Sequence, residues 1–91
     1  MQTVYINLSK THIVQEFVEK ISPFDGQFDL LSDGYVLDAK SLMGIFGLDL
    51  TKPIMLRIDK ATEEVMQAIK RFMVDQQPAS PPDTKGRLIN E

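Results

Sequence analysis

The sequence predicts an α+β fold, an antiparallel sheet with its helices on one face, and three observations predict it. Segments alternating every second residue are separated by segments whose apolar residues recur every three or four. An Asp-Gly pair, Asp33-Gly34, joins two β-like runs and reads as a tight hairpin whose central residues need positive φ. The resulting order is strand, helix, strand, strand, helix, strand, helix, and short connections bury its apolar faces when the helices share one side of the sheet.

The elements follow in order. Thr3, Val4, Tyr5, Ile6 and Asn7 are β-branched or aromatic with period-2 character and form the first strand. Asn7, Ser9 and Thr11 are candidate N-caps for the helix that follows. Ile13, Val14, Phe17, Val18 and Ile21 make its inner face, opposite Gln15, Glu16, Glu19 and Lys20. Ser22-Pro23 stops it, because the residue before proline avoids helical geometry. Residues 27–31 and 35–38 are the hairpin strands, and Ser41 is the expected cap of a short second helix. After Pro53, Ile54, Leu56 and Ile58 face the core and alternate with Met55 and Arg57. Asp59 or Thr62 caps a last helix whose inner face is Val65, Met66, Ile69, Phe72 and Met73.

Residues 1–74 thus read as one small domain. Residues 75–91 hold three of the five prolines, no aromatic residue and no apolar periodicity, and read as a flexible Pro-rich tail. Arg87-Leu88-Ile89-Asn90 within it is either a short docking element or plain chain end.

Composition excludes several functions. A net charge of −3 and singly scattered cations leave no basic stripe to neutralise a run of phosphates, so nucleic acid is not an expected partner. With no cysteine and one histidine there is no basis for a disulfide, a thiol nucleophile or a zinc site, and no cofactor is expected. No apolar run approaches the ~18 residues of a membrane span. Residues 1–3 lead into the first strand without a signal-peptide pattern, so a cytoplasmic monomer is the expectation. No oriented acid or oxyanion element accompanies Ser9 and His12, and no glycine-rich phosphate loop is present, so no enzyme activity is expected.

The segment 38–50 stands out. Leu42, Met43, Ile45, Phe46 and Leu48 crowd a short stretch interrupted by Gly44 and Gly47. One helix face takes about three or four of every seven positions, so some of these side chains must lie at the surface. Leu42, Met43 and Phe46 are the candidates for a partner-docking face; a core role for the three is the alternative. Ile45 and Leu48 are then the residues that anchor the helix. The two glycines would let a partner backbone approach.

The order of elements, and the run from Phe24-Asp25 through Asp33-Gly34 to Lys40-Ser41-Leu42-Met43-Gly44, resemble HPr, the histidine phosphocarrier of the bacterial phosphoenolpyruvate:sugar phosphotransferase system. The similarity covers residues 2–74, continues through Leu48, and places Phe17-Val18 in the same ungapped alignment. The resemblance implies an open-faced β-sandwich, a four-stranded antiparallel sheet under three helices. It also implies a histidine capping the first helix, where helix amides and a nearby arginine stabilise a transferred phosphoryl group. Here the chain departs from the pattern. The histidine position is Lys10, the arginine position is His12, and the following proline is Ile13. A lysine, charged at neutral pH, is no substitute for imidazole as acceptor. The resemblance therefore implies a regulatory or protein-interaction module with a degenerate phosphohistidine site, binding phosphotransferase components, a kinase or a regulator, and it puts the docking face of Leu42, Met43 and Phe46 beside that site, with Lys10 and His12 at its rim. A working phosphocarrier using His12 is the alternative, and a surface histidine or an anion-binding one are the plainer readings of that residue. Ser41 is either a helix cap or, as the matching serine of Gram-positive relatives implies, a regulatory phosphorylation site.

Overall fold

The computed structural model describes residues 1–74 of the chain; the tail expected over 75–91 lies outside the described residues. Strict alternation organises the sheet. In β4 (Ile54–Ile58) the odd side chains of the run, Ile54, Leu56 and Ile58, are buried while Met55 and Arg57 are half-exposed on the other side. β4 pairs antiparallel with β1 (Gln2–Ile6) on one side and with β2 (Phe28–Ser32) on the other. Directly opposed residues share a face, so Val4 and Ile6 of β1 and Phe28 and Leu30 of β2 join the buried side. β3 (Tyr35–Asp38) extends β2 through the hairpin, where Asp33 and Gly34 have φ of 50° and 84° as the tight turn requires.

Three helices cover the buried face. α1 (Thr11–Ile21) contributes Val14, Phe17 and Ile21, with Ile13 and Val18 packed at the edge of the core. α2 (Leu42–Ile45) contributes Ile45, and α3 (Glu63–Ile69) contributes Val65 and Ile69. Thr62 rather than Asp59 caps α3, its hydroxyl accepting the Val65 amide, and Glu63 and Glu64 favour the positive helix end. Asp59 instead accepts the Gln27 amide at 2.7 Å, tying the ends of β2 and β4 together. Leu8 and Ala39, fully buried in connections, are core residues without a periodic neighbour to announce them.

The structure departs from expectation at the C-terminal end. The sheet has five strands in the order β3-β2-β4-β1-β5, not four. After α3 the chain tightens into a 3-10 turn (Lys70–Phe72) and then extends as β5 (Met73–Val74), paired with β1. Met73 is therefore a strand residue at the sheet edge, 37% exposed, and not part of a helix face. Phe72 remains in the core and meets Phe17 edge-to-face at 5.5 Å, a pair contributing about 0.5–1.5 kcal/mol beyond its area. The Arg71–Glu16 pair lies above that contact, where an exposed ion pair adds ~1 kcal/mol at most.

Two glycines allow a test of this framework. Gly34 has positive φ but open space where a Cβ would stand, so Gly34→Ala should cost only the left-handed backbone penalty, about 1–2 kcal/mol. Gly26 has φ of 96° and a Cβ there would sit 2.5 Å from Asp59 Oδ1, the acceptor of the Gln27 amide. Urea unfolding should therefore show Gly26→Ala to be the more destabilising of the two.

Candidate functional site

Ser41 precedes α2 in extended geometry (φ −92°, ψ 96°) and its Oγ accepts the Gly44 amide at 3.2 Å. The hydroxyl is exposed. Because α2 is a single turn, its large side chains divide sharply. Ile45 is wholly buried, Leu42 and Leu48 are half-buried against the core, Phe46 is 39% exposed and Met43 is 80% exposed. Met43 and Phe46 thus form the apolar surface of this helix, with Leu42 at its inner border.

Of the two glycines, Gly44 departs from the expectation. A Cβ on Gly44 would meet Ser41 Oγ at 3.0 Å and Leu37 Cδ1 at 3.3 Å, so this residue serves close packing of α2 on its own cap and on β3. Gly47 is exposed. Following it, Asp49 accepts the hydroxyl and the amide of Thr51, and these bonds hold its carboxyl below the ordinary carboxylate value.

At the start of α1 the N-cap position is Lys10, in extended geometry (φ −128°, ψ 146°), and no side chain caps the helix. None of the three expected capping residues fills the role: Asn7 accepts the Ser9 amide instead, and Thr11 is the first helical residue. The Lys10 carbonyl accepts both the Ile13 and the Val14 amides at 3.0 Å. His12 is the second helical residue and is exposed. Among the described residues no side-chain hydrogen bond or ion pair engages either Lys10 or His12, and no acid lies in the first turn. α1 and α2 pack against each other, so the two candidate regions lie on elements in contact.

Two polar groups that sequence reasoning passed over turn out to be structural. Lys40 Nζ donates to the Phe24 carbonyl at 2.6 Å and lies 5.3 Å over the Phe28 ring, joining the loop after α1 to the loop before α2. Asp29, mostly buried, accepts from Arg57 at 3.1 Å and from Gln27 at 3.2 Å. A depression of about 550 Å³ is bordered by Asp29, Asp38, Lys40 and Asp59, but each of these carboxylates already accepts a bond from the protein. No three His, Asp or Glu side chains converge to hold a metal ion among the described residues, and no described helix is long and apolar enough to cross a membrane.

Among solved structures, the crystal structure of HPr-C-His from Thermoanaerobacter tengcongensis is similar to this chain, with a TM-score of 0.66 and 25% identity over 78% of this chain and 89% of that one. The fold is HPr-like. No protein-family model and no curated protein matches the chain. The HPr-like architecture puts Lys10 at the N-cap of α1 and His12 inside the helix.

Four expected outcomes follow from the Ser41 cap and the burial pattern. Ser41→Ala should lower stability by about 0.5–2 kcal/mol through loss of the Gly44 bond. Met43→Asp should change it by less than about 0.5 kcal/mol, and Phe46→Asp by roughly 1–2 kcal/mol. Ile45→Asp, which buries an unpaired charge, should abolish the cooperative transition in thermal denaturation.

Proposed function

We propose that this chain is a protein-interaction module of HPr type, docking partners of the sugar phosphotransferase system or their regulators through Met43 and Phe46, without carrying phosphate on histidine. It is a cytoplasmic monomer and not an enzyme in this reading. The observation that carries it is Lys10 at the N-cap of α1, the place where the HPr resemblance implies the phosphorylated histidine. An ammonium there keeps the cationic character of an anion-binding helix end but offers no imidazole nitrogen to accept a phosphoryl group. His12 stands one residue further into α1 than its first residue, with its backbone already helical, so it does not occupy the capping position. Leu42 borders the docking surface, and Lys10 and His12 are its polar rim.

Ser41 is the regulatory candidate of this reading. Its hydroxyl is exposed and lies two residues before Met43. A phosphate there adds about −1.5 to −2 charge beside the apolar surface. With α2 only a single turn long, helix dipole contributes little, and the effect on docking would come from that charge and its desolvation.

Incubation with phosphoenolpyruvate and the enzyme that charges HPr, followed by intact-mass measurement, should leave the mass unchanged. An acid-labile adduct mapped to His12 would instead establish the working phosphocarrier. Titration of the isotope-labelled chain with the same enzyme should shift the Met43 and Phe46 amides, and Met43→Asp should weaken the binding. Shifts confined to other elements would sink the docking assignment.

A further inference from the structure

The face of the sheet turned away from the helices carries an ordered apolar feature. Strand register places Val36 opposite Leu31, Leu31 opposite Met55, Met55 opposite Tyr5, and Tyr5 opposite Val74. These five side chains therefore form one cross-strand row running the full width of the sheet, β3 to β5. Val36 is 58% exposed and the other four are half-buried. Tyr5, Leu31 and Met55 line a shallow depression of about 140 Å³ with Pro53, Asp33 and Lys52. Ion pairs border the row on both sides, Asp29–Arg57 on one and Asp33–Lys52 on the other. Apolar residues at these positions are unnecessary for the core, which lies wholly on the opposite face.

We propose that Leu88 and Ile89 of this chain's own C-terminal segment cover this row. The row ends on Val74, the point from which residues 75–91 continue, so the segment begins at the edge of the surface it would cover. Three strand spacings separate β5 from β2, about 14 Å. The roughly 14 residues from Val74 to Leu88, three of them proline, can reach as far as about 43 Å at 3.1 Å per residue. The segment is therefore long enough to bring Leu88 and Ile89 onto the row. Leu88 and Ile89 are the large aliphatic residues of that segment. Arg87 precedes them, and Asp38, on the same sheet face, has no side-chain cation partner among the described residues. A second copy fits less well. A row one residue deep, about 20 Å across, offers far less than the ~800 Å² per partner of a stable dimer, and each copy carries a net charge of −3.

The test uses methyl-labelled full-length chain. Cross-relaxation peaks are expected between the Leu88 or Ile89 methyls and those of Leu31 and Met55. The double substitution Leu88→Asp, Ile89→Asp should shift the Leu31 and Met55 methyl resonances, and Met55→Lys should reciprocally shift those of Leu88 and Ile89. In a sample mixing differently labelled chains, no inter-chain peak should appear. Absence of the intrachain peaks together with unchanged Leu31 and Met55 resonances in the double variant overturns the proposal. Inter-chain peaks overturn it equally, in favour of a second copy.

Discussion

β4 is hydrogen-bonded on both edges and alternates without a break, and the rest of the molecule depends on that. Because its neighbours β1 and β2 pair with it residue for residue, the side on which Ile54, Leu56 and Ile58 fall decides the side on which every other strand must be apolar. A slip of one residue would turn that set to solvent and carry Arg57 into the core. The helices then need only one apolar stripe each, and they all lie on one side. Burial of each fully enclosed aliphatic or aromatic side chain contributes about 1.5–3 kcal/mol. Phe17, Phe28 and Phe72, all almost wholly enclosed, are the large members of that set.

This dependence explains which parts of the fold were legible in the sequence. Alternation in residues 54–58, the 3.6-residue period of Val14, Phe17 and Ile21, and the Asp33-Gly34 turn are local signals, and each element they specify is present. β5 was not legible, because two residues are too few to show a period and their pairing with β1 is long-range. Leu8 and Ala39 were hidden for the same reason: single residues in connections are buried by what surrounds them. Gly44 misled in a different way. A glycine beside large apolar residues suggests room for a partner, but the room is taken by Leu37 of the same chain.

The candidate site was legible only in part. Crowding around residues 42–48 signalled that some side chains had to face outward, and the single turn of α2 leaves Met43 and Phe46 there. The start of α1 was harder to read. Asn7, Ser9 and Thr11 all have capping side chains, yet the extended residue that precedes the helix is Lys10, which cannot cap. Helix-cap propensities rank residue types; the route of the chain from buried Leu8 into the helix selects the position.

If the proposed reading holds, docking and phosphoryl transfer are separable in this scaffold. In the proposed reading, transfer would depend on one atom at one position, whereas docking would depend on a surface held by Ile45 and the Ser41 cap. No side chain caps α1, and the position-10 side chain is exposed, without a hydrogen bond among the described residues. A substitution there accordingly removes no side-chain hydrogen bond or ion pair among the described residues, and its folding cost should lie within the ~0.5 kcal/mol typical of surface changes. Replacement at Ile45, by contrast, reaches the core and the exposed apolar surface of α2 together. The physical asymmetry is that the side chain at position 10 can change without loss of the fold, while the apolar surface on α2 is tied to the elements that make the domain stable.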